Sequence, residues 1–104
     1  KTHTFRQFRY TQLKESELYA IELGKDLDSF SHGTVLVVGI NPTPKQGQLL
    51  LVKNSDGIGV YNVSQFGEDT IAIPQDSTKP TVAISKGLAP DWFVAQIREA
   101  VVKF

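Results

Sequence analysis

The fold is decided by residues 33–76, which read GTVLVVGINPTPKQGQLLLVKNSDGIGVYNVSQFGEDTIAIPQD. This stretch holds four short apolar runs that are separated by turn residues. The runs at residues 35–38 and 49–52 are continuous and rich in Val and Leu, and they are too short for helices, so they predict buried strands. Between them, Pro42 and Pro44 lack a backbone donor and fix φ, which predicts a loop.

Two turn signals follow the second run. Asp56 and Gly57 form an Asp-Gly pair, and the glycine supplies the positive φ that a tight two-residue hairpin needs. Residues 52–53 and 58–61 are therefore expected to pair antiparallel. A further turn at residues 65–69 leads to an alternating strand that stops at Pro74. We interpret the stretch as a β-meander whose turn spacing is typical of a small, mainly β barrel or sandwich.

The N-terminal segment is more ambiguous. Residues 1–12 interleave aromatic with basic residues, a pattern that can stack nucleic-acid bases, but an aromatic strand edge packed on the core is the favoured interpretation. In residues 13–23, Tyr19, Ile21 and Leu23 alternate with other residues and favour a strand. A helix capped by Ser16 and ended by Gly24 is the alternative.

Composition limits the class of protein. The chain has 104 residues, of which 40% are apolar, and this size suits one domain with a modest core. Eleven basic and eleven acidic side chains cancel, which argues against DNA binding by this segment alone. The chain has no Cys and no apolar run of membrane-spanning length, so a cytoplasmic protein without a cofactor is expected. Because it begins at Lys1 and contains no Met, we expect a fragment of a longer protein.

Several features together resemble a known family. Gly33 opens a strand, a loop with two prolines follows, Gly47 and Gln48 precede an aliphatic strand, and an Asp-Gly hairpin leads to residues 74–76 and 79–82. Upstream, residues 19–27 read YAIELGKDL, similar to the family segment in which Tyr-Ala-Leu-x-Val leads into Gly-Asp-Ser-Met. This order resembles the C-terminal domain of LexA-like and phage CI-type repressors, which shares the fold of the S24 self-cleaving peptidases.

The catalytic positions of that family are not preserved. In its active members a Ser on the Gly-Asp-Ser-Met turn is the nucleophile, and a Lys on the strand after the hairpin is the general base. Here the Ser position falls on Asp26, or on Gly24 in a second alignment, and the Lys position falls on Tyr61. A carboxylate is not an activated hydroxyl, and a tyrosine with an ordinary pKa of about 10 is a poor base at neutral pH. The resemblance therefore implies a pseudo-peptidase rather than an enzyme.

The C-terminal residues carry two conflicting signals. Phe93, Ile97 and residues 100, 101 and 104 lie at helical spacing behind Pro90 and Asp91, which predicts an amphipathic helix. The resemblance implies closing strands instead, and we favour a strand for the last six residues. The family dimerises through this region, and an exposed apolar strand edge needs a partner. The candidate oligomerisation residues are Trp92, Phe93, Ala100, Val101, Val102 and Phe104; in the alternative interpretation they only close the core.

Other chemistry is weakly supported. His3 and His32 lack the spacing of metal ligands, and His32 is interpreted as a surface turn residue. The glycines at 57 and 59 lack the rest of a dinucleotide loop. No serine stands in a nucleophile context, but an unfamiliar Ser-Lys pair that uses Lys53 or Lys25 stays open.

We therefore expect a non-cleaving regulatory and oligomerisation domain of a phage or prophage transcriptional repressor. It would dimerise attached helix-turn-helix heads and so raise their effective concentration at two half-sites. Its partners would be a second copy of itself, an antirepressor protein, and DNA only through an N-terminal domain outside this chain. The alternatives are a divergent S24-type serine peptidase and a stand-alone adaptor domain.

Overall fold

The computed structural model describes residues 2–5, 8–12, 18–40, 44–55, 57–84 and 92–102. The described residues contain no helix, and their strands form one antiparallel sheet of nine strands. The prediction of a mainly β domain is confirmed. The strands are β1 (Thr2–Phe5), β2 (Phe8–Gln12), β3 (Leu18–Leu23), β4 (Val35–Ile40), β5 (Leu49–Asn54), β6 (Gly57–Phe66), β7 (Asp69–Pro74), β8 (Val82–Ala83) and β9 (Phe93–Val101).

Both predicted hairpins form. Asn54 pairs with Gly57 across the β5–β6 turn, and Gly57 has a φ of 115°. Phe66 pairs with Asp69 across the β6–β7 turn, where Gly67 also has a positive φ. A residue with a Cβ is strained in that conformation, so these two glycines set the turns. The predicted antiparallel pairing of residues 52–53 with 58–61 is confirmed as well.

The strand order is β1-β2-β3-β4-β9-β5-β6-β7-β8. Neighbours in the sheet are neighbours in the chain, except that β9 lies between β4 and β5. The prediction of a continuous meander over residues 33–76 is therefore wrong at one point, since β4 and β5 are not adjacent. β4 and β5 are mostly apolar, and β9 pairs with both of them, with Ala95 opposite Ile40 on one side and Leu51 on the other.

β9 resolves the conflict at the C-terminus in favour of a strand. The helix predicted from the spacing of Phe93 and Ile97 is wrong for the described part of this segment; Pro90, Asp91 and Phe104 lie outside it. Two features remove the alternation of buried and exposed residues that would have predicted a strand here. Val94 and Ala95 are adjacent and are both buried, on opposite faces of the sheet, and the register against β4 shifts at Arg98, which acts as a β-bulge.

At the N-terminal side, β1, β2 and β3 form successive antiparallel pairs. The strand prediction for residues 18–23 is confirmed, and Ser16, where the alternative helix would begin, lies outside the described residues. β3 then pairs with β4.

The sheet is packed on both faces. On one face lies the first core, which consists of Leu23, Leu27, Leu36, Val38, Leu51, Val60 and Ala95. On the other lies the second core, which consists of Leu50, Val52, Tyr61, Val63, Ala72, Ile84 and Val94. β5, β6 and β9 contribute alternate residues to both cores. This is why residues 49–52 form a continuous apolar run instead of an alternating one.

Candidate functional site

The turn between β3 and β4 packs on the first core. Leu27 and Phe30 bond each other through both backbone N–H groups, at 2.8 and 2.9 Å, and their side chains contact the first core. Asp28 lies at the tip of this small bridge with a φ of 50°. Asp tolerates this left-handed conformation better than most residues with a Cβ. Packing of Leu27 and Phe30 therefore fixes the turn, and residues 28 and 29 at its tip can bond residues of other elements.

Asp26, the position that the resemblance assigns to the nucleophile, has a structural role. Its Oδ1 accepts a hydrogen bond of 2.8 Å from the backbone N–H of His32, which holds the turn closed. Gly24, the other aligned position, is exposed at the start of the same turn. His32 is exposed in the turn as well, as its interpretation as a surface residue requires.

Tyr61, the position that the resemblance assigns to the general base, is buried in the second core with 3% of its surface exposed. Its ring lies against Trp92, with centroids 5.5 Å apart and the planes tilted by 57°. Tilted aromatic pairs of this kind contribute to packing. The ring of Tyr61 is thus part of the core, whereas the carboxylate of Asp26 serves a solvent-exposed turn.

One edge of β6 is closed by a residue that the sequence did not single out. β7 pairs with β6 only from Tyr61 onward, so β6 extends past the end of β7 at residues 57–60. There the N–H of Val60 donates to Oδ2 of Asp28 at 2.7 Å. The carbonyl of Val60 accepts from the N–H of Gln75 at 2.9 Å, and the Gln75 side chain accepts from the N–H of Ser29 at 3.1 Å.

Lys79 completes the same edge from the loop after β7. Its Nζ donates to the carbonyl oxygen of Ile58 at 3.3 Å. Between the two charged side chains lies Gly59: a Cβ on it would be 2.9 Å from Nζ of Lys79 and 3.4 Å from Oδ2 of Asp28. A carboxylate and an ammonium group therefore cover Gly59 from two separate loops, and each is bonded to the backbone of β6.

A short turn positions Lys79. Asp76 Oδ1 accepts hydrogen bonds from the Thr78 hydroxyl at 2.7 Å and from the Thr78 N–H at 2.9 Å, and the Asp76 carbonyl accepts from the N–H of Lys79 at 3.1 Å. These hydrogen bonds, led by the Thr78 hydroxyl and then the Thr78 N–H, hold the pKa of Asp76 below its usual value. The charge of Lys79 acts in the same direction, and partial burial opposes it.

The two charged side chains in this arrangement bond the main chain of β6. Asp28 and Lys79 each engage a main-chain group, and no cluster of metal-ligating side chains occurs among the residues that the structure describes. In the same turn, the Oγ of Ser31 lies 3.4 Å from the Thr34 hydroxyl. Sequence reasoning missed Asp28 and Lys79 because 51 positions separate them; the only local signal was an Asp at the tip of a turn.

The predicted oligomerisation residues have different surroundings. Trp92 is half-buried against Tyr61 and belongs to the second core, while Phe93 is 49% exposed. Val101 and Val102 are 47% and 50% exposed, and Ala100 is also exposed. Phe104 lies outside the described residues.

Among the described strands, β9 is paired on both sides only at residues 95–97. Phe93 to Ile97 pair with β5 on one side, and β4 pairs with β9 as far as Val101 on the other. Among the described strands, none pairs with residues 98–101 on the side away from β4. We call residues 98–102 the open end of β9.

Comparisons with known proteins add no relatives. Neither the models of protein families nor the curated proteins give a match to this chain. In the parts of the chain that the structure describes, there is no helix with the length and hydropathy of a membrane span.

Proposed function

We propose that this chain is a non-cleaving regulatory and oligomerisation domain of a phage or prophage transcriptional repressor that acts in the bacterial cytoplasm. The observation that carries the proposal is the open end of β9, where none of the described strands pairs with residues 98–101 on the side away from β4 and two neighbouring valines are exposed. The resemblance supplies the repressor context, and the open end supplies a surface on which a second copy can assemble.

The physical argument begins with the main chain. A strand with a free edge presents unpaired N–H and C=O groups that pair readily with another strand. In a twofold dimer the same four residues of both copies would pair antiparallel, because such an interface uses the same patch on each subunit. Val101 and Val102 lie beside this edge, and contact with their counterparts would remove their apolar surface from water.

Dimerisation would allow such a domain to regulate transcription without catalysing a reaction. A dimer carries two attached helix-turn-helix heads to two half-sites, and the second binding event then occurs at a high effective concentration. The balanced charge of this chain agrees with a division of labour in which the attached heads hold the DNA. Sequence upstream of Lys1 tests this part: the proposal requires a helix-turn-helix within the preceding hundred or so residues.

The surroundings of the two degenerate positions support a domain that does not cleave itself. Asp26 closes a turn through His32, and Tyr61 fills the second core. A repressor that cannot cut itself needs another release signal, and we propose an antirepressor protein that binds this domain or its heads. Incubation with the activated recombinase filaments that trigger cleavage in the family should leave the chain intact; a discrete cut within or just before this domain would refute this half of the proposal.

Sedimentation of the chain tests the assembly half. We expect the wild-type chain to show a concentration-dependent increase in mass, and the double variant Val101→Glu, Val102→Glu to sediment as a monomer. Phe66→Glu is the matched control, because Phe66 is 61% exposed at the distant β6–β7 hairpin and should leave the mass unchanged. A wild-type chain that stays monomeric at all concentrations, or a Phe66→Glu variant that dissociates equally, would overturn the proposal.

A further inference from the structure

We propose that Asp28 and Lys79 form an edge guard, a pair of side chains that occupies the free hydrogen-bonding groups of β6 and so prevents another strand from adding there. The inference is independent of the proposed function, because it concerns the edge of β6 instead of β9 and needs no repressor context.

The edge that needs protection is well defined. Beyond Tyr61, on the side of β6 that faced β7, the N–H of Gln75 bonds the carbonyl of Val60, and the N–H of Val60 and the carbonyl of Ile58 have no strand partner among the described residues. Residues 57–60 read Gly-Ile-Gly-Val, an uncharged segment with no side chain at two positions. Such a segment offers little steric or electrostatic resistance to an incoming strand.

Asp28 and Lys79 bond the N–H of Val60 and the carbonyl of Ile58 in the way that an added strand would. An added strand would give a carbonyl to the N–H of Val60 and an N–H to the carbonyl of Ile58. The Asp28 carboxylate already accepts from Val60 at 2.7 Å, and the Lys79 ammonium already donates to Ile58 at 3.3 Å. Hydrogen bonds to a carboxylate are stronger than those between neutral groups, so a neutral strand does not readily displace Asp28; the longer bond of Lys79 adds a positive charge to the same edge.

The local structure is arranged around these two bonds. Asp28 adopts a φ of 50°, a conformation that few residues with a Cβ favour, at the tip of a turn whose base is anchored in the first core. Gly59 has no side chain, which leaves room for both charged groups, since a Cβ there would be 2.9 Å from Nζ of Lys79. Gln75 ties the two sides together by bonding both Val60 and Ser29.

The strand that the guard excludes is the same edge of a second copy of this chain. Residues 57–60 of two copies can pair antiparallel about a twofold axis, and the small residues at 57 and 59 allow close approach. Strand addition of this kind is the general hazard of an uncovered sheet edge.

The first measurement uses the wild-type chain. Amide hydrogen exchange of Val60 should be slowed at least about tenfold relative to an unprotected amide, the effect of one hydrogen bond. The amide of Val63, which bonds the carbonyl of Gln48 at 2.9 Å, is the reference for a paired group in the same strand. Exchange of Val60 at the unprotected rate would overturn the proposal.

The second measurement removes the guard. The double variant Asp28→Ala, Lys79→Ala is made together with Val101→Glu and Val102→Glu, so that the open end of β9 cannot contribute to assembly. We expect its sedimentation mass to rise with concentration, with the Val60 amide protected again only in the assembled form. The Val101→Glu, Val102→Glu variant with Asp28 and Lys79 intact should stay monomeric. If it assembled, the result would contradict the proposed β9 interface and not the edge guard.

Two controls separate a guard from a general loss of charge. Both controls are made in the Val101→Glu, Val102→Glu background. Asp28→Asn keeps an oxygen acceptor and the tolerance of positive φ. Lys25→Ala removes a lysine from the exposed start of the β3–β4 turn, and neither variant should assemble. If the double variant unfolds, Lys79→Met, which keeps the apolar stem, is measured instead. An unguarded variant that remains monomeric, or that assembles without renewed protection of Val60, would refute the proposal.

Discussion

Among the described residues, two stretches of strand inside this sheet extend past a neighbouring strand, and their main-chain groups have different surroundings. At residues 57–60 of β6, a carboxylate and an ammonium group from separate loops bond the main chain on the side away from β5. At residues 98–101 of β9, none of the described strands pairs with the side away from β4, and Val101 and Val102 are about half exposed. One edge is covered by two charged side chains from other loops, and the other runs through exposed Arg98 and Glu99 to two exposed valines.

The comparison shows that a strand without a neighbour can either be protected from pairing with another chain or be available for it. Charged side chains that point onto an edge are a common way to prevent pairing with other chains, whereas an apolar edge favours pairing. On this interpretation the guarded edge keeps assembly away from β6, and assembly is directed to β9. The following variants change one edge or its support at a time.

The largest effect is expected within β9 itself. Val94→Ala removes two buried methyl groups from the second core and should lower the free energy of unfolding by about 2 kcal/mol. Val101→Ala is the same chemical change at a position that is 47% exposed, and should change it by less than about 0.5 kcal/mol. Denaturant unfolding of both variants measures this; equal losses would mean that the open end of β9 is part of the core.

The second prediction makes the open edge resemble the guarded one. Val101→Lys adds a charge to the edge of β9 and should weaken self-association at least about tenfold, since the burial of an unpaired charge in an interface is unfavourable. Dilution experiments by light scattering or sedimentation give the dissociation constant. Val101→Thr, which keeps the β-branched shape, is the control, and an association that tolerates Lys would argue against a β9 interface.

The third prediction compares two glycines of β6. Gly57→Ala should lower stability by about 1 kcal/mol or more, because its φ of 115° strains any residue with a Cβ. Gly59→Ala should change it by less than about 0.5 kcal/mol: the new Cβ displaces the flexible end of Lys79 and loses a weak hydrogen bond, but alanine reduces the entropy of the unfolded chain. A large loss at Gly59 would show that Lys79 cannot move aside.

The smallest effect concerns the turn that positions Lys79. The pKa of Asp76 is lower in the folded chain than in the unfolded chain, so its contribution to stability is present above the unfolded value of about 4 and is lost as the pH falls through the folded value. Thr78→Val removes the strongest of the stabilising bonds, so the pKa of Asp76 should rise toward its usual value and this acid-dependent loss should shrink.

Carboxyl titration by NMR measures the pKa of Asp76 directly. Thr81→Val, at a nearby exposed threonine that does not bond Asp76, is the control and should leave the titration unchanged. An unchanged Asp76 titration in Thr78→Val would contradict the assignment of the shift to the hydroxyl.

Local signals in the sequence were sufficient for the turns and most strands of the sheet. The Asp-Gly pair at 56 and 57 and the stop at Pro74 place their strands correctly, because they act through backbone sterics over a few residues. The resemblance identified two positions, Asp26 and Tyr61, and the structure gives each a structural role. The proposed repressor function is still a prediction.

A mainly β chain with tight glycine turns follows from the sequence alone, since a positive φ and a buried apolar run are local properties. Only the tertiary structure decided that β9 is a strand between β4 and β5, because its burial on both faces and its bulge at Arg98 remove the period that would have revealed it. Only the tertiary structure could bring Asp28 and Lys79 to Gly59. No local rule connects residues that meet solely because the chain between them folds.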